Sequence, residues 1–457
     1  MVLHILSKRV ICSGNFQNTF LRGPTLHRFC SPAARPALFH TALRLTMPPK
    51  GPKEDKPTAI FGTKRKNAEA TDKPLKRPKG EFPAYKDSTV EEKYGIVDRE
   101  FYPPEITNAR CAQYNNNEIP RPIEVLDKAL KETITGREHT KVHNAVVHWF
   151  KVDLRARDNK ALHLASEKAK ANGVPLICIH IISPQDFKAH CTSAPRVDFV
   201  LRTLEILKED LGKLDIPLYV ETIEKRKEIP GRIFELCEKW GASHLYANKE
   251  YEVDELRREA RMVRAGLEKG IAFFVEPDTC VVAPGELRSM SGNQYAVYSP
   301  WFRAWVAYLH SHPRHLDLFP APAQNPASTR GDFKTLFECP IPAAPKTKSL
   351  TDEEKERFRK LWPAGEHEAS ERLAKFVEAK VESYKDKRNF PAANATAVIS
   401  VHLASGTLSP RNAIASAKAA NSTEKLDGGN AGITGWISEV AWRDFYKHVL
   451  AHWPFIW

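Results

Sequence analysis

The first 53 residues contain no aspartate and no glutamate; Glu54 is the first acid. Lys8, Arg9, Arg22, Arg28, Arg35 and Arg44 are spaced there among apolar and hydroxyl residues. An arginine-rich, acid-poor leader is the make-up of a mitochondrial transit peptide. Residues 1–46 are therefore expected to be an address; a basic tail, or a true start at Met47, are the alternatives. The chain also lacks any C-x-x-C pair: Cys12, Cys30, Cys111, Cys178, Cys191, Cys237, Cys280 and Cys339 are scattered. That argues against a disulfide frame or a zinc site and predicts reduced thiols in an intracellular protein. No apolar run is long enough to cross a bilayer.

What is present is an ordinary globular composition, 42% hydrophobic and 27% charged over 457 residues, with a net charge of +13. The length suits two or three domains. A basic balance favours an acidic partner such as nucleic acid or a membrane surface, without choosing between them. After Met47 the chain turns rich in proline and lysine. "KRKNAEATDKPLKRPK" (64–79) sets Lys64-Arg65-Lys66 and Lys76-Arg77 with Lys79 about a short spacer, the pattern of a bipartite nuclear signal. Residues 47–142 are expected to be a disordered basic tail and lead-in.

From residue 143 strands and helices alternate. "NAVVHWF", "VPLICIHII", "PLYVET", "SHLYANK" and "IAFFVEP" are short apolar runs. Helix-periodic stretches such as "RVDFVLRTLEILKEDLGKL" separate them. This alternation predicts an α/β doubly wound parallel sheet over 143–285. No G-x-G-x-x-G follows the first strand, so nothing marks a dinucleotide site there. Ligands of such sheets bind at the strand carboxyl ends, which makes the loops near His190 and Glu255 candidates.

Residues 286–350 are proline-rich and are expected to form a connector laid over the surface. From Thr351 the pattern is helical, with Thr351 as an N-cap before acids in the first turn. One long amphipathic helix is expected over 367–388, and two more follow, so 351–457 reads as an all-helical domain, present in its opening portion.

The last helix, "GWISEVAWRDFYKH" (435–448), concentrates the chemistry. Trp436, Glu439, Trp442 and Arg443 share one face. Two readings are open. One is an internal Glu439–Arg443 pair at i,i+4 beside two core tryptophans. The other is the wall of a cofactor or base pocket, with indole stacking on a flat heterocycle, the glutamate accepting from ring N–H groups and the arginine holding a phosphate.

"WISEVAWRDFYKH" closely resembles the helix pattern W-x-x-E-[LV]-x-W-R-[DE]-F-Y-[RK]-H of the DNA photolyase/cryptochrome family. It is most similar to the branch that repairs cyclobutane pyrimidine dimers, in its fungal, class I form. Three further stretches agree in order: "WFKVDLRARDNKAL" (149–162), "YEVDELRRE" (251–259) and "YKDKRNFPAANATAVISVHLASGTLSPR" (384–411). Together they cover some 300 residues.

The resemblance implies a carbon–carbon lyase that binds FAD in the helical domain and an antenna chromophore on the α/β domain. It flips the dimer out of DNA and splits it with an electron from light-excited reduced flavin, with no net redox change. Tyr384, Thr396, Ala397, Val398, Ile399, Ser400, Trp436, Glu439 and Arg443 match flavin-contact positions. Glu439 and Trp442 match the catalytic wall, and Arg388, with Glu439 and Trp442, the DNA side. His190, Asp254 and Glu255 match positions that hold a 5,10-methenyltetrahydrofolate antenna. The family also implies a monomer acting on dimer-containing DNA, away from membranes; the two N-terminal signals imply nucleus and mitochondrion.

Departures are visible. Asp254 stands where asparagine is usual, which works against folate. Ala397 replaces a serine and removes one hydroxyl, Val398 stands where a bulkier or basic residue is common, and Lys151 replaces an arginine. The family continues well beyond the position of Trp457, so this chain is expected to be C-terminally truncated, with its activity in question. Light-driven repair is the favoured function; a cryptochrome-type photoreceptor and a fragment that binds no flavin are the alternatives.

Overall fold

The computed structural model describes residues 108–456. The transit segment (1–46), the nuclear signal (64–79) and most of the tail lie outside the described residues. The described part of the lead-in is helical: α1 (Asn108–Asn115), α2 (Pro122–Glu132) and α3 (Ile134–His139). Helix α2 buries Ile123, Leu126 and Ala129 in the core cluster that covers one side of the sheet.

The predicted sheet is present. Strands β1 (Ala145–Phe150), β2 (Leu176–Ile182), β3 (Leu218–Thr222), β4 (Ala242–Asn248) and β5 (Ala272–Glu276) are parallel in the order β3-β2-β1-β4-β5. Every residue of β1 and β4 is buried, as expected when helices cover both faces of a parallel sheet. The crossover helices are α4 (Lys160–Ala171), α5 (Pro184–Ala189) with α6 (Ala194–Gly212), α7 (Ile229–Lys239) and α8 (Val253–Glu268). Asn159 caps α4 by accepting from the Leu162 amide at 3.1 Å. Strand order reverses beside β1, so the carboxyl ends of β1, β2 and β4 open on one cleft.

The connector differs from expectation. Within it, α9 (Tyr298–Ser311) carries Trp301 and Trp305 fully buried in the helical core. Prolines flank the helix, but Pro300 falls in its first turn, where its missing N–H costs nothing. The rest of the connector includes two short helices, Thr329–Asp332 and Lys334–Glu338. Asn325 pins it to the start of β2, accepting from the Leu176 amide and donating to its carbonyl, both at 2.8 Å.

The helical part comprises α10 (Asp352–Leu361), α11 (Glu366–Ala379), α12 (Tyr384–Lys387), α13 (Ser400–Ser405), α14 (Pro410–Ala419) and α15 (Ala431–His452). Thr351 caps α10 in a reciprocal capping box with Glu354. The single helix expected over 367–388 breaks after Ala379. Val381 turns into the core, and Gly432 of α15 lies against the carbonyls of Val381 and Glu382, where a Cβ would collide. The break sets Tyr384 and Arg388 facing α15.

Buried ion pairs bind the two parts together. Asp278 receives Arg155 and, at 2.7 Å, Arg411; Arg411 also pairs with Asp158. Gly406, at φ +71°, closes on the Val152 carbonyl with no room for a Cβ. The six cysteines in the described region are free, and no described helix is long and apolar enough to cross a membrane.

Candidate functional site

Helix α15 works on two sides. One side docks: Asp444 and His448 are fully buried, Arg443 donates to the Thr279 carbonyl, and Lys447 pairs with Glu252. The other side is open and carries Glu439, Trp442 and Tyr446, the last 62% exposed.

On the open side Glu439 pairs with Arg388, at 40% and 37% side-chain exposure. The arginine also lies 5.9 Å from the Tyr384 ring centroid. Burial, and then the Glu439 charge, push the Tyr384 hydroxyl up. Trp442 lies on Tyr298 with ring centroids 3.6 Å apart, and the Tyr298 hydroxyl donates to the Ser438 carbonyl at 2.7 Å. Of the predicted residues, the structure thus brings together Tyr384, Arg388 and Glu439, with Trp442 one turn along. The internal Glu439–Arg443 pair is not formed, because the Thr279 carbonyl holds Arg443. Trp436 is buried against Phe376, at 5.2 Å between centroids, in the helical core.

The stretch 396–400 alternates. Ala397 and Ile399 are buried, whereas Thr396, Val398 and Ser400 are exposed. The two hydroxyls therefore face outward. Val398 is held at φ +50°, a left-handed conformation that is strained for a β-branched residue.

The α/β cleft, about 240 Å³, is lined by Trp149, Lys151, His180, Asp186, His190, Glu250, Glu255 and Arg258. His190 Nε2 is 3.3 Å from Glu255 Oε1. Burial alone would raise the Glu255 carboxyl; the His190 hydrogen bond and the charges of Arg258 and Arg226 outweigh it and hold it well below the usual range. The same hydrogen bond raises His190. Glu255 Oε2 is buried without a hydrogen-bond partner. Asp254 pairs with Arg226 at 3.0 Å, so its extra charge is neutralised. Arg226 also reaches Asp186 at 2.6 Å and Glu255 at 3.3 Å. Asp186, His190 and Glu255 are close enough to chelate a metal ion, but the Arg226 guanidinium already pairs with both carboxylates. Lys151 pairs with Glu259 and, at 3.3 Å, with Glu250.

Sequence reasoning missed Arg226, Asp186 and Tyr298. Each acts across the fold, and no local spacing signals it.

Residues 146–324 match the DNA photolyase family model. The chain is 56% identical over 394 residues to a deoxyribodipyrimidine photo-lyase of Neurospora crassa, covering 85% of this chain and 63% of that protein. It is 28% identical over 392 residues to the mitochondrial deoxyribodipyrimidine photo-lyase of Saccharomyces cerevisiae, covering 80% and 66%. The chain thus spans just under two thirds of the length of these curated relatives. Among solved structures, its fold is similar to a class III photolyase from Agrobacterium tumefaciens (TM-score 0.55, 23% identity, 68% of this chain and 59% of that one). It is also similar to a cryptochrome from Synechocystis (TM-score 0.53, 21% identity, 67% and 61%). The ordered motifs, the parallel sheet and these matches agree: residues 146–324 form a DNA photolyase family domain, in a chain similar to deoxyribodipyrimidine photo-lyases over most of its length.

Proposed function

We propose that this chain carries part of the machinery for light-driven repair of cyclobutane pyrimidine dimers in DNA, a deoxyribodipyrimidine photo-lyase activity. The observation that carries the reading is the open Arg388–Glu439 pair set on the same side of α15 as the Trp442–Tyr298 stack. A flat aromatic floor beside a guanidinium and a carboxylate suits two flipped, linked neighbouring bases and their phosphate. Trp442 stacks on the dimer. Arg388 turns from Glu439 to a phosphate, and the released carboxylate accepts hydrogen bonds from ring N–H groups.

FAD fits these residues in part. The outward hydroxyls of Thr396 and Ser400, with Tyr384, suit donation to a diphosphate; Trp436, buried in the core, supports the pocket from behind. Reduced FAD, when bound, supplies the light-driven electron that opens the cyclobutane ring. In the α/β cleft, the free Glu255 Oε2 is an acceptor for a ring amine, which supports 5,10-methenyltetrahydrofolate as antenna, with Arg226 cancelling the Asp254 charge. The N-terminal signals support entry into nucleus and mitochondrion, where the DNA is. The protein is taken to act as a monomer.

The experiment is a flavin absorption spectrum of the purified chain, followed by loss of thymine dimers from a defined duplex in light and in darkness. Repair confined to light supports the proposal. Bound flavin with no repair and no preference for dimer DNA overturns it in favour of the cryptochrome-type photoreceptor, which shares the fold.

A further inference from the structure

Asp444 is fully buried on the docked side of α15. Its Oδ2 accepts from the amides of Val281 at 2.7 Å and Val282 at 3.2 Å, and from Trp305 Nε1 at 3.4 Å. One turn further, His448 Nε2 donates to the Val282 carbonyl at 2.8 Å, while its Nδ1 accepts from Trp301 Nε1 at 3.3 Å. The two side chains thus close on the donor and the acceptor of one peptide segment. We propose that Asp444 and His448, gripping the backbone of residues 281–282, set the rotation of helix α15 about its axis and so aim Glu439 and Trp442 at the dimer site proposed above. They are positioning residues, and the inference rests on the repair reading above for what is being aimed.

The geometry makes such control strong. At 3.6 residues per turn, Glu439 and Trp442 lie about 140–160° round the helix from Asp444, on the far side from the grip. A side-chain head about 6 Å from the axis moves roughly 1 Å for each 10° of rotation. A misplacement of that size can cost about 100-fold in a positioned reaction. On the open side the Trp442–Tyr298 stack and the Arg388–Glu439 pair are what such a rotation would disturb.

The test compares Asp444→Asn, which keeps an acceptor oxygen, with Asp444→Ala, which removes it. Two signals are read on the full chain. The first is acrylamide quenching and near-ultraviolet dichroism of Trp442, isolated by subtracting Trp442→Phe in each background. The second is preference for a duplex holding one thymine dimer over the undamaged duplex. The expected result is a near-normal Asn variant. The Ala variant should keep its helix content, show an altered Trp442 signal, and lose at least about 10-fold in preference. An Ala variant with both signals unchanged, or an Asn variant as damaged as Ala, overturns the proposal. Should the Ala variant fail to fold, His448→Phe decides: it removes the second grip while keeping a ring against Trp301, and an unchanged Trp442 signal there also overturns the proposal. If wild type shows no dimer preference but the Trp442 signal still moves in the Ala variant, the grip stands and the repair reading falls.

Discussion

Trp442 lies flat on Tyr298, ring centroids 3.6 Å apart and planes 9° from parallel. The pair joins two segments that the sequence separates widely, one in the connector and one in the last helix. It gives α15 a preformed floor on its open side, so a base stacking there meets a surface already ordered.

Beside that floor, the Arg388–Glu439 pair separates function from stability. Both side chains are more than a third exposed, so the pair contributes only about 0–1 kcal/mol to folding. Glu439→Gln and Arg388→Ala should shift the urea midpoint little. Each should lower light-driven dimer loss, or dimer-DNA affinity, by about 10-fold or more. A variant with normal handling of dimer DNA would remove these residues from the site.

The buried ion ring should behave in the opposite way. Arg411→Met leaves Asp278 and Asp158 buried with one cation fewer. Loss of one partner from such a pair costs about 3–5 kcal/mol. Urea unfolding of the variant should show that loss, and a change below 1 kcal/mol would mean that water reaches the ring.

Val398 offers a gain. At φ +50° and 44% exposed, it stores backbone strain and buries little. Val398→Asn, which tolerates the left-handed region, should raise stability by about 1 kcal/mol. A drop in the unfolding midpoint would show that the Val398 side chain packs against something that covers this loop.

Acid should unfold the protein through its histidines. Burial pulls His148, His180, His402 and His448 down from 6.5 to about 4. A base depressed in the folded state gives stability that is full above pH 6.5 and is lost as pH falls through 6.5 toward 4. Asp444, raised by burial to about 6, works the other way and loses stability as pH rises from about 4 to 6. Glu250, raised by burial to about 7, acts in the same sense as Asp444. His244 and His452, also pulled down to about 4, join the other four histidines and outweigh both, so the melting temperature should fall between pH 6.5 and 4.5. His148 is a direct probe: both its ring nitrogens lack hydrogen-bond partners, and its charged neighbour is Asp153, 3.8 Å from Nε2. His148→Phe should remove up to about 3 kcal/mol of the acid loss; an unchanged pH profile would place the loss elsewhere.

The α/β half was legible because a sheet buried on both faces needs continuous apolar strands, and β1 to β5 are written that way. Tyr384, Arg388 and Glu439 were legible only through the ordered family motifs. Their meeting joins residues 51 positions apart, and spacing alone pointed instead to Arg443. Helix α9 stayed hidden behind the prolines around it, although Tyr298, Trp301, Phe302 and Trp305 follow helical spacing. The break after Ala379 depends on Gly432, a residue some fifty positions away, so no local propensity reports it. Arg226 was invisible for the same reason: its carboxylate partners lie on α5 and α8.

Gly406 shows where this architecture resists change. With φ at +71° and the Val152 carbonyl where a Cβ would stand, the position accepts only a hydrogen as its side chain. Any single-nucleotide change that turns a glycine codon into that of another amino acid adds a Cβ. The seam between the two halves therefore has, among the described residues, a site at which drift is closed on steric grounds alone. Its neighbours are held differently: Ser405 and Thr407 are buried, and the Thr407 hydroxyl lies 2.9 Å from His402 Nδ1.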